Sequence, residues 1–172
     1  PWFSPSGDRL AFSAGGGIGD IFLMDVPSGT PRQIIEDAWT SYWLDEDRIL
    51  HTLRPFDPLL NRIRNDPNYI YSISADSSII VRGTERAMEG AEWFFPGPRI
   101  PDSNIAVGNI QGSASFGLDP SLYIVDIDDA SIVETDYPGI NVQALTSDIL
   151  IYQLGDDAGK IVARRFDTRS KT

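Results

Sequence analysis

The stretch Pro1–Asp25, PWFSPSGDRLAFSAGGGIGDIFLMD, decides how the rest of the chain is read. It opens on bulky residues, turns through Ser4-Pro5-Ser6-Gly7-Asp8, and continues into the apolar run Leu10-Ala11-Phe12. A glycine-rich segment follows, with Gly15, Gly16, Gly17 and Gly19, and then the run Ile21-Phe22-Leu23-Met24 ends at Asp25. Glycine-rich loops cradle phosphate when a strand precedes them and a helix N-terminus follows. Here the following run is short and stops at Pro27-Ser28-Gly29, so it predicts a second strand and the glycines predict a hairpin connection. No Gly-Lys-Ser/Thr element is present to complete a phosphate loop.

The same alternation recurs along the 172 residues. Short β-rich runs punctuated by Gly, Pro, Asp and Ser predict strands at 9–13, 21–25, 48–53, 69–73, 79–81, 122–125, 149–153 and 161–166. Residues 58–66, PLLNRIRND, are the best helix candidate, a turn or two between Pro58 and Pro67. Aligned on the tryptophans, copies begin at Trp2, Trp43 and Trp93, and a degenerate fourth begins at Ala144. Their second halves are DIFLMDVPSGTPRQII, NYIYSISADSSIIV, SLYIVDIDDASIVE and KIVARRFDTRSKT. The unit reads strand, turn, strand, loop, strand, turn, strand, and its length of about 40–50 residues suits one four-stranded blade of a β-propeller. The expected fold is all-β, with about four antiparallel blades at 1–36, 37–83, 84–136 and 137–172.

Ser4-Pro5, Gly7, Leu10-Ala11-Phe12, Asp20-Ile21-Phe22 and Asp25 stand where the WSPDG-type repeat of TolB-like β-propellers has its residues, and the first copy resembles that family. The repeat also occurs in the propellers of prolyl-oligopeptidase-type peptidases. Leu44-Asp45-Glu46-Asp47 departs from it, lacking both proline and glycine. The resemblance implies a protein- or peptide-binding scaffold without catalysis, in a periplasmic or extracellular setting. Propellers of this family commonly have more blades, so the chain is expected to be part of a larger propeller. Two other roles fit the same repeat: the gating propeller of a serine peptidase whose hydrolase domain lies elsewhere, and an arc that self-associates head to tail through open blade edges.

Composition narrows the partners. The net charge of −11 opposes nucleic acid, whose phosphates are met by Lys and Arg, and opposes an anionic membrane surface. No apolar run reaches the ~18 residues of a membrane helix, so no membrane insertion is expected. The absence of cysteine removes disulfides, zinc–thiolate sites and thiol nucleophiles. His51, the single histidine, falls on a predicted strand, and GSASFG at 112–117 has the wrong spacing for a nucleophile elbow. The acidic groups at 45–47, 126–129 and 156–157 coincide with turns, where aspartate caps backbone N–H groups, and none completes a calcium loop. No cofactor or metal is expected, and no catalytic residue is assigned.

Binding is expected where long connections gather. In such blades the loops between second and third strands share one end of the sheets with the inter-blade loops, here 36–40 and 136–140. The segments 54–68 and 108–121 are longer than a hairpin needs. Trp39, Arg54, Phe56, Arg62, Arg64 and Tyr137 supply the mixed aromatic and cationic character of a partner-binding surface.

Overall fold

The computed structural model describes residues 1–14, 19–53, 56–57, 62–63, 66–89, 92–112, 120–154 and 160–167. Sixteen strands occupy them: β1 (Trp2–Phe3), β2 (Arg9–Ala14), β3 (Gly19–Asp25), β4 (Arg32–Trp43), β5 (Arg48–Leu53), β6 (Phe56–Asp57), β7 (Arg62–Ile63), β8 (Asn68–Ser72), β9 (Ser77–Ile80), β10 (Glu92–Arg99), β11 (Ile105–Gly112), β12 (Ser121–Asp126), β13 (Ser131–Pro138), β14 (Ile140–Thr146), β15 (Ile149–Gln153) and β16 (Ile161–Arg165). The one helical element among the described residues is a 3-10 helix at Glu85–Glu89. The strands named here pair antiparallel in chain order, with β5 meeting β8 across the two-stranded β6–β7 ribbon. The fold is all-β, and no sheet among the described residues closes on itself.

The first two predicted units share a strand. Residues 32–38 of β4 pair with β3, and residues 38–43 pair with β5, giving one seven-stranded sheet, β1-β2-β3-β4-β5-β8-β9, where two four-stranded sheets were expected. The predicted loop at 36–40 is therefore strand. Asp37 takes a left-handed conformation, φ 51, at the changeover, and its N–H donates to the Asp20 carboxylate at 3.2 Å. Aspartate tolerates this region better than most residues because its short side chain bonds locally. The predicted loop at 136–140 is also mostly strand, divided between β13 and β14. The third unit is a four-stranded sheet, β10-β11-β12-β13, and the last described sheet has three strands, β14-β15-β16. In the region read as a helix, Arg62–Ile63 instead pairs with Phe56–Asp57, as suits a β-branched residue opposite an aromatic one; the rest of 58–65 lies outside the described residues.

One backbone bond marks all four units. The N–H after the third strand donates to the carbonyl before the second: Val26 to Asp8 at 2.8 Å, Ile73 to Asp47 at 2.8 Å, Ile127 to Asn104 at 2.9 Å and Phe166 to Asp148 at 2.8 Å. This register corrects the alignment on tryptophans. Phe3, Trp43 and Arg99 are equivalent, since their cross-strand partners Leu10, Ile49 and Ala106 each follow the carbonyl that closes the turn. Trp93 stands six residues before that position, opposite Gln111. The turns are closed by short polar side chains at corresponding places: Ser4 accepts from Arg9 N–H, Asp45 from Asp47 and Arg48 N–H, Ser103 from Ile105 N–H and Thr146 from Asp148 N–H.

Each contact between successive units buries one apolar cluster. Ala11, Ile21 and Ile35 meet Ile49 and Tyr71; Leu44, Leu50 and Ile70 meet Phe94, Ala106 and Tyr123; Ile105, Val107 and Ile124 meet Val142, Leu150 and Tyr152. Gly108 permits the middle sheet to pack this closely, because a Cβ there would strike the Tyr123 ring and the Phe95 carbonyl oxygen. Side chains also cross between units at the turns. Arg9 donates to the Glu46 carbonyl, Arg48 to the Ile127 carbonyl at 3.3 Å, and Arg99 to the Leu44 carbonyl at 2.6 Å.

The two ends of the sheets therefore differ. Ala38 stands opposite both Gly19 and Leu53, so the connections at 15–18 and after Leu53 leave from the same end. Contacts of Arg48 with Asp128 and of Arg99 with Leu44 join the short turns of the second and third units at the other end. The Gly139 N–H bond to the Pro120 carbonyl, 3.0 Å, ties the start of β14 to the long-connection end of the third unit.

Candidate functional site

Where the units converge, β4, β10 and β14 come together with β11 around a cavity of about 520 Å³. Its lining residues are Tyr42 from β4, Phe95, Pro96 and Gly97 from β10, Asn109 and Gln111 from β11, and Asn141, Val142 and Gln143 from β14. In a regular strand, consecutive side chains point to opposite faces. Two walls of this cavity nevertheless use three consecutive residues each. Both strands are irregular there: the β10–β11 register shifts between Pro96 and Arg99, and the β14–β15 register shifts between Ile140 and Gln143. Asn141 sits in that second bulge with φ 54, and its Nδ2 donates to Gln153 Oε1 at 3.0 Å. Bulges re-aim side chains and are common beside functional sites. Pro96 and Pro98 are tolerated because β10 is the edge of its sheet and needs no N–H on its free side.

The lining is neutral and rich in hydrogen-bonding groups. Four carboxamide residues line it together with Tyr42 and Phe95, and none of the described lining residues is charged. Asn109 is 5% exposed, and its Nδ2 is buried without a hydrogen-bond partner. A buried amide donor left unpaired is costly, and such groups in folded proteins generally have a reason. Burial raises the Tyr42 pKa above its ordinary value, so the phenol keeps its proton as a donor. None of these residues stood out in the sequence. The signal that could have found them is weak: carboxamides at 109 and 111 and again at 141 and 143, at the spacing that shares a strand face.

The structure locates the sequence-predicted residues as follows. Tyr137 is in β13 at the long-connection end, half-buried against the third cluster, with the Arg164 guanidinium 3.8 Å from its ring centroid. Trp39 lies in β4 beside the Asp37 changeover, Phe56 in β6 and Arg62 in β7; their backbones are described and their side chains are not. Arg54 and Arg64 lie outside the described residues. The structure does not bring Tyr137 to the cavity.

Other groups weighed from the sequence have structural employment. His51 is 1% exposed in β5, stacks on Tyr69 with centroids 5.5 Å apart, and has Nε2 3.2 Å from Ser78 Oγ. Burial pushes its pKa down to about 3, so it is neutral near pH 7. Asp45 Oδ1 accepts two turn N–H groups at 2.8 Å and Oδ2 accepts from Arg48 at 2.7 Å, which lowers the Asp45 pKa against the opposing effect of burial. Asp126 caps Asp128 and Asp129 N–H, both at 3.1 Å. Residues 15–18 of the glycine run lie outside the described residues, but the strands on either side pair antiparallel, Ala14 opposite Asp20, and β3 stands where a phosphate loop needs a helix. Of the 112–117 segment only Gly112 is described, and the acidic pair at 156–157 lies outside.

No family model matches the chain, and no curated protein matches it. Among solved structures, TolB from Acinetobacter baumannii, a β-propeller, is similar over 96% of this chain with a TM-score of 0.62 and 15% identity. The AtxE2 isopeptidase in its apo form is similar over 95% of the chain at 14% identity and a TM-score of 0.36, too loose a match to inform fold or activity. The TolB likeness shows the fold, an all-β TolB-like propeller arrangement of antiparallel sheets. The chain spans 40% of the TolB chain and 38% of the isopeptidase chain.

Proposed function

We propose that this chain forms about four blades of a larger, non-catalytic propeller that binds a protein or peptide at the end carrying the long connections, in a periplasmic or extracellular setting. The observation that carries the reading is the asymmetry of the two ends. At one end, capped turns lock successive units together through Arg9, Arg48 and Arg99. At the other, the chain between β5 and β8 and the chain between β11 and β12 extend well beyond what joining adjacent strands requires. Arg54, Phe56, Arg62 and Arg64 belong to the first of those connections; Trp39 follows Ala38, which stands opposite Leu53 in mid-β4, and Tyr137 precedes Pro138, which stands opposite Ser121. Arginine and aromatic side chains are the usual anchors of protein interfaces.

The test is affinity capture from an extract of the source cells, comparing the parent chain with the Arg54→Ala/Arg62→Ala/Arg64→Ala triple variant and with Asp102→Ala at the opposite end. Partners retained by Asp102→Ala and lost by the triple variant support the reading. An identical set of partners on all three overturns it.

A further inference from the structure

We infer that the inner cavity is a binding site for a neutral saccharide of one or two rings. The described walls of this site come from β4, β10, β11 and β14, and Tyr137 of the partner surface proposed above is not among them.

The volume of about 520 Å³ lies within the range of small-molecule sites, ~300–1,000 Å³. Its chemistry selects the ligand class. With no acid or base among the described lining residues, a charged ligand would be desolvated against them without compensation. A purely apolar ligand would leave four carboxamides and a phenol facing a surface that cannot bond them. A carboxamide carries donor and acceptor side by side, and adjacent hydroxyls of a sugar can meet both at once; Asn141 spends one donor on Gln153 and keeps its carbonyl oxygen and second N–H. The Asn109 Nδ2, buried and unpartnered, requires an acceptor such as a hydroxyl or ring oxygen. Phe95 and Tyr42 supply the apolar surface on which the C–H face of a sugar ring can rest.

A peptide suits the site less well. An extended peptide binds chiefly by adding to a free strand edge through its backbone. Two sheet edges border the cavity: β10, where Pro96 and Pro98 have no N–H to give, and β14, and register shifts break the ladder spacing of both. The carboxamides come from β11 and β14 and surround the cavity from different strands, so they suit a compact ligand with groups in several directions.

The experiment is calorimetric titration of the chain with glucose, N-acetylglucosamine, maltose and cellobiose, with glucuronate as the charged counterpart and an uncharged, end-blocked glycine–alanine tetrapeptide as the peptide arm. The expected result is saturable binding of at least one neutral sugar at millimolar concentration or below, with glucuronate and the tetrapeptide at least tenfold weaker. Asn109→Leu and, independently, the exposed-residue variant Gln143→Leu should each weaken that binding at least tenfold while thermal unfolding stays cooperative. Three outcomes overturn the inference: no neutral sugar binds, the tetrapeptide binds as tightly as the best sugar, or binding survives both variants. None of these outcomes bears on the capture experiment, which reads the substitutions at Arg54, Arg62 and Arg64.

Discussion

Two buried asparagines show how differently this fold treats the same side chain. Asn68 is fully buried between the second and third units. Its Oδ1 accepts from Thr52 at 2.9 Å, its Nδ2 donates to the Tyr123 hydroxyl, and its N–H donates to Thr84 Oγ1 at 3.0 Å. Asn109, 5% exposed, has a buried Nδ2 with no partner. The first completes a polar network that spans a unit boundary; the second faces the cavity. A satisfied buried network fixes the packing around it, whereas an unsatisfied donor destabilises the empty protein and is relieved by a ligand. The contrast separates residues that hold the sheets together from residues kept available.

Substitutions put that contrast to the test. The largest effect is expected from Asn68→Leu, which takes the Nδ2 donor from the buried Tyr123 hydroxyl and leaves Thr52 Oγ1 only the Asp66 and Pro67 carbonyls. It should cost about 3 kcal/mol, measured as a lower urea midpoint. Sugar binding should be retained by whatever fraction remains folded.

His51 provides the next largest effect, through pH. Its pKa in the folded chain is about 3, against an ordinary 6.5, because burial opposes the charged ring. Between those values the unfolded chain binds a proton that the folded chain refuses, so this group lowers stability as the pH falls. The slope is about 1.4 kcal/mol per pH unit, or roughly 2 kcal/mol from pH 6.5 to pH 5. Urea unfolding of His51→Phe across this range should show a correspondingly flatter dependence than the parent. An equal slope in both would remove His51 from the account.

A smaller loss, about 1 kcal/mol, is expected for Asp45→Ala, which uncaps Asp47 and Arg48 N–H and removes a partly exposed ion pair. Sugar affinity should not change, because the turn is not part of the cavity. The smallest stability change belongs to Asn109→Leu, within about 0.5 kcal/mol of the parent or slightly stabilising, since the Nδ2 it removes has no bond to lose. A loss as large as that of Asn68→Leu would show that Asn109 is structural after all and would dissolve the comparison.

The strands were the most legible part of the chain. Runs predicted at 9–13, 48–53 and 149–153 lie at Arg9–Ala14, Arg48–Leu53 and Ile149–Gln153, because alternating apolar residues between polar turns leave little choice of partner face. The repeat register was only partly legible. Tryptophan is conspicuous, but what recurs is the backbone bond received by Asp8, Asp47, Asn104 and Asp148, which side-chain identity does not announce. The bulge after Pro96 lets β10 run on to Arg99, so that Trp93 falls short of the equivalent position. The inter-unit loop expected at 36–40 was hidden for a related reason, since one left-handed aspartate suffices to pass the chain from β3 to β5. The cavity was least legible. Neutral amides have no characteristic motif, and the bulges that bring three successive residues to one wall appear only when the strands are paired.

The strand shared by the first two units has a practical consequence for anyone wishing to trim this protein. A cut at residue 36 or 37, the natural boundary of a repeat, would sever β4 where it passes from one set of hydrogen bonds to the next. The second unit would lose the pairing of Ala38 with Gly19 that anchors the start of its first strand, and the first would keep a ragged outer edge. The smallest N-terminal piece worth excising therefore extends through β9, and the first two repeats should be inherited, transplanted and lost as a pair.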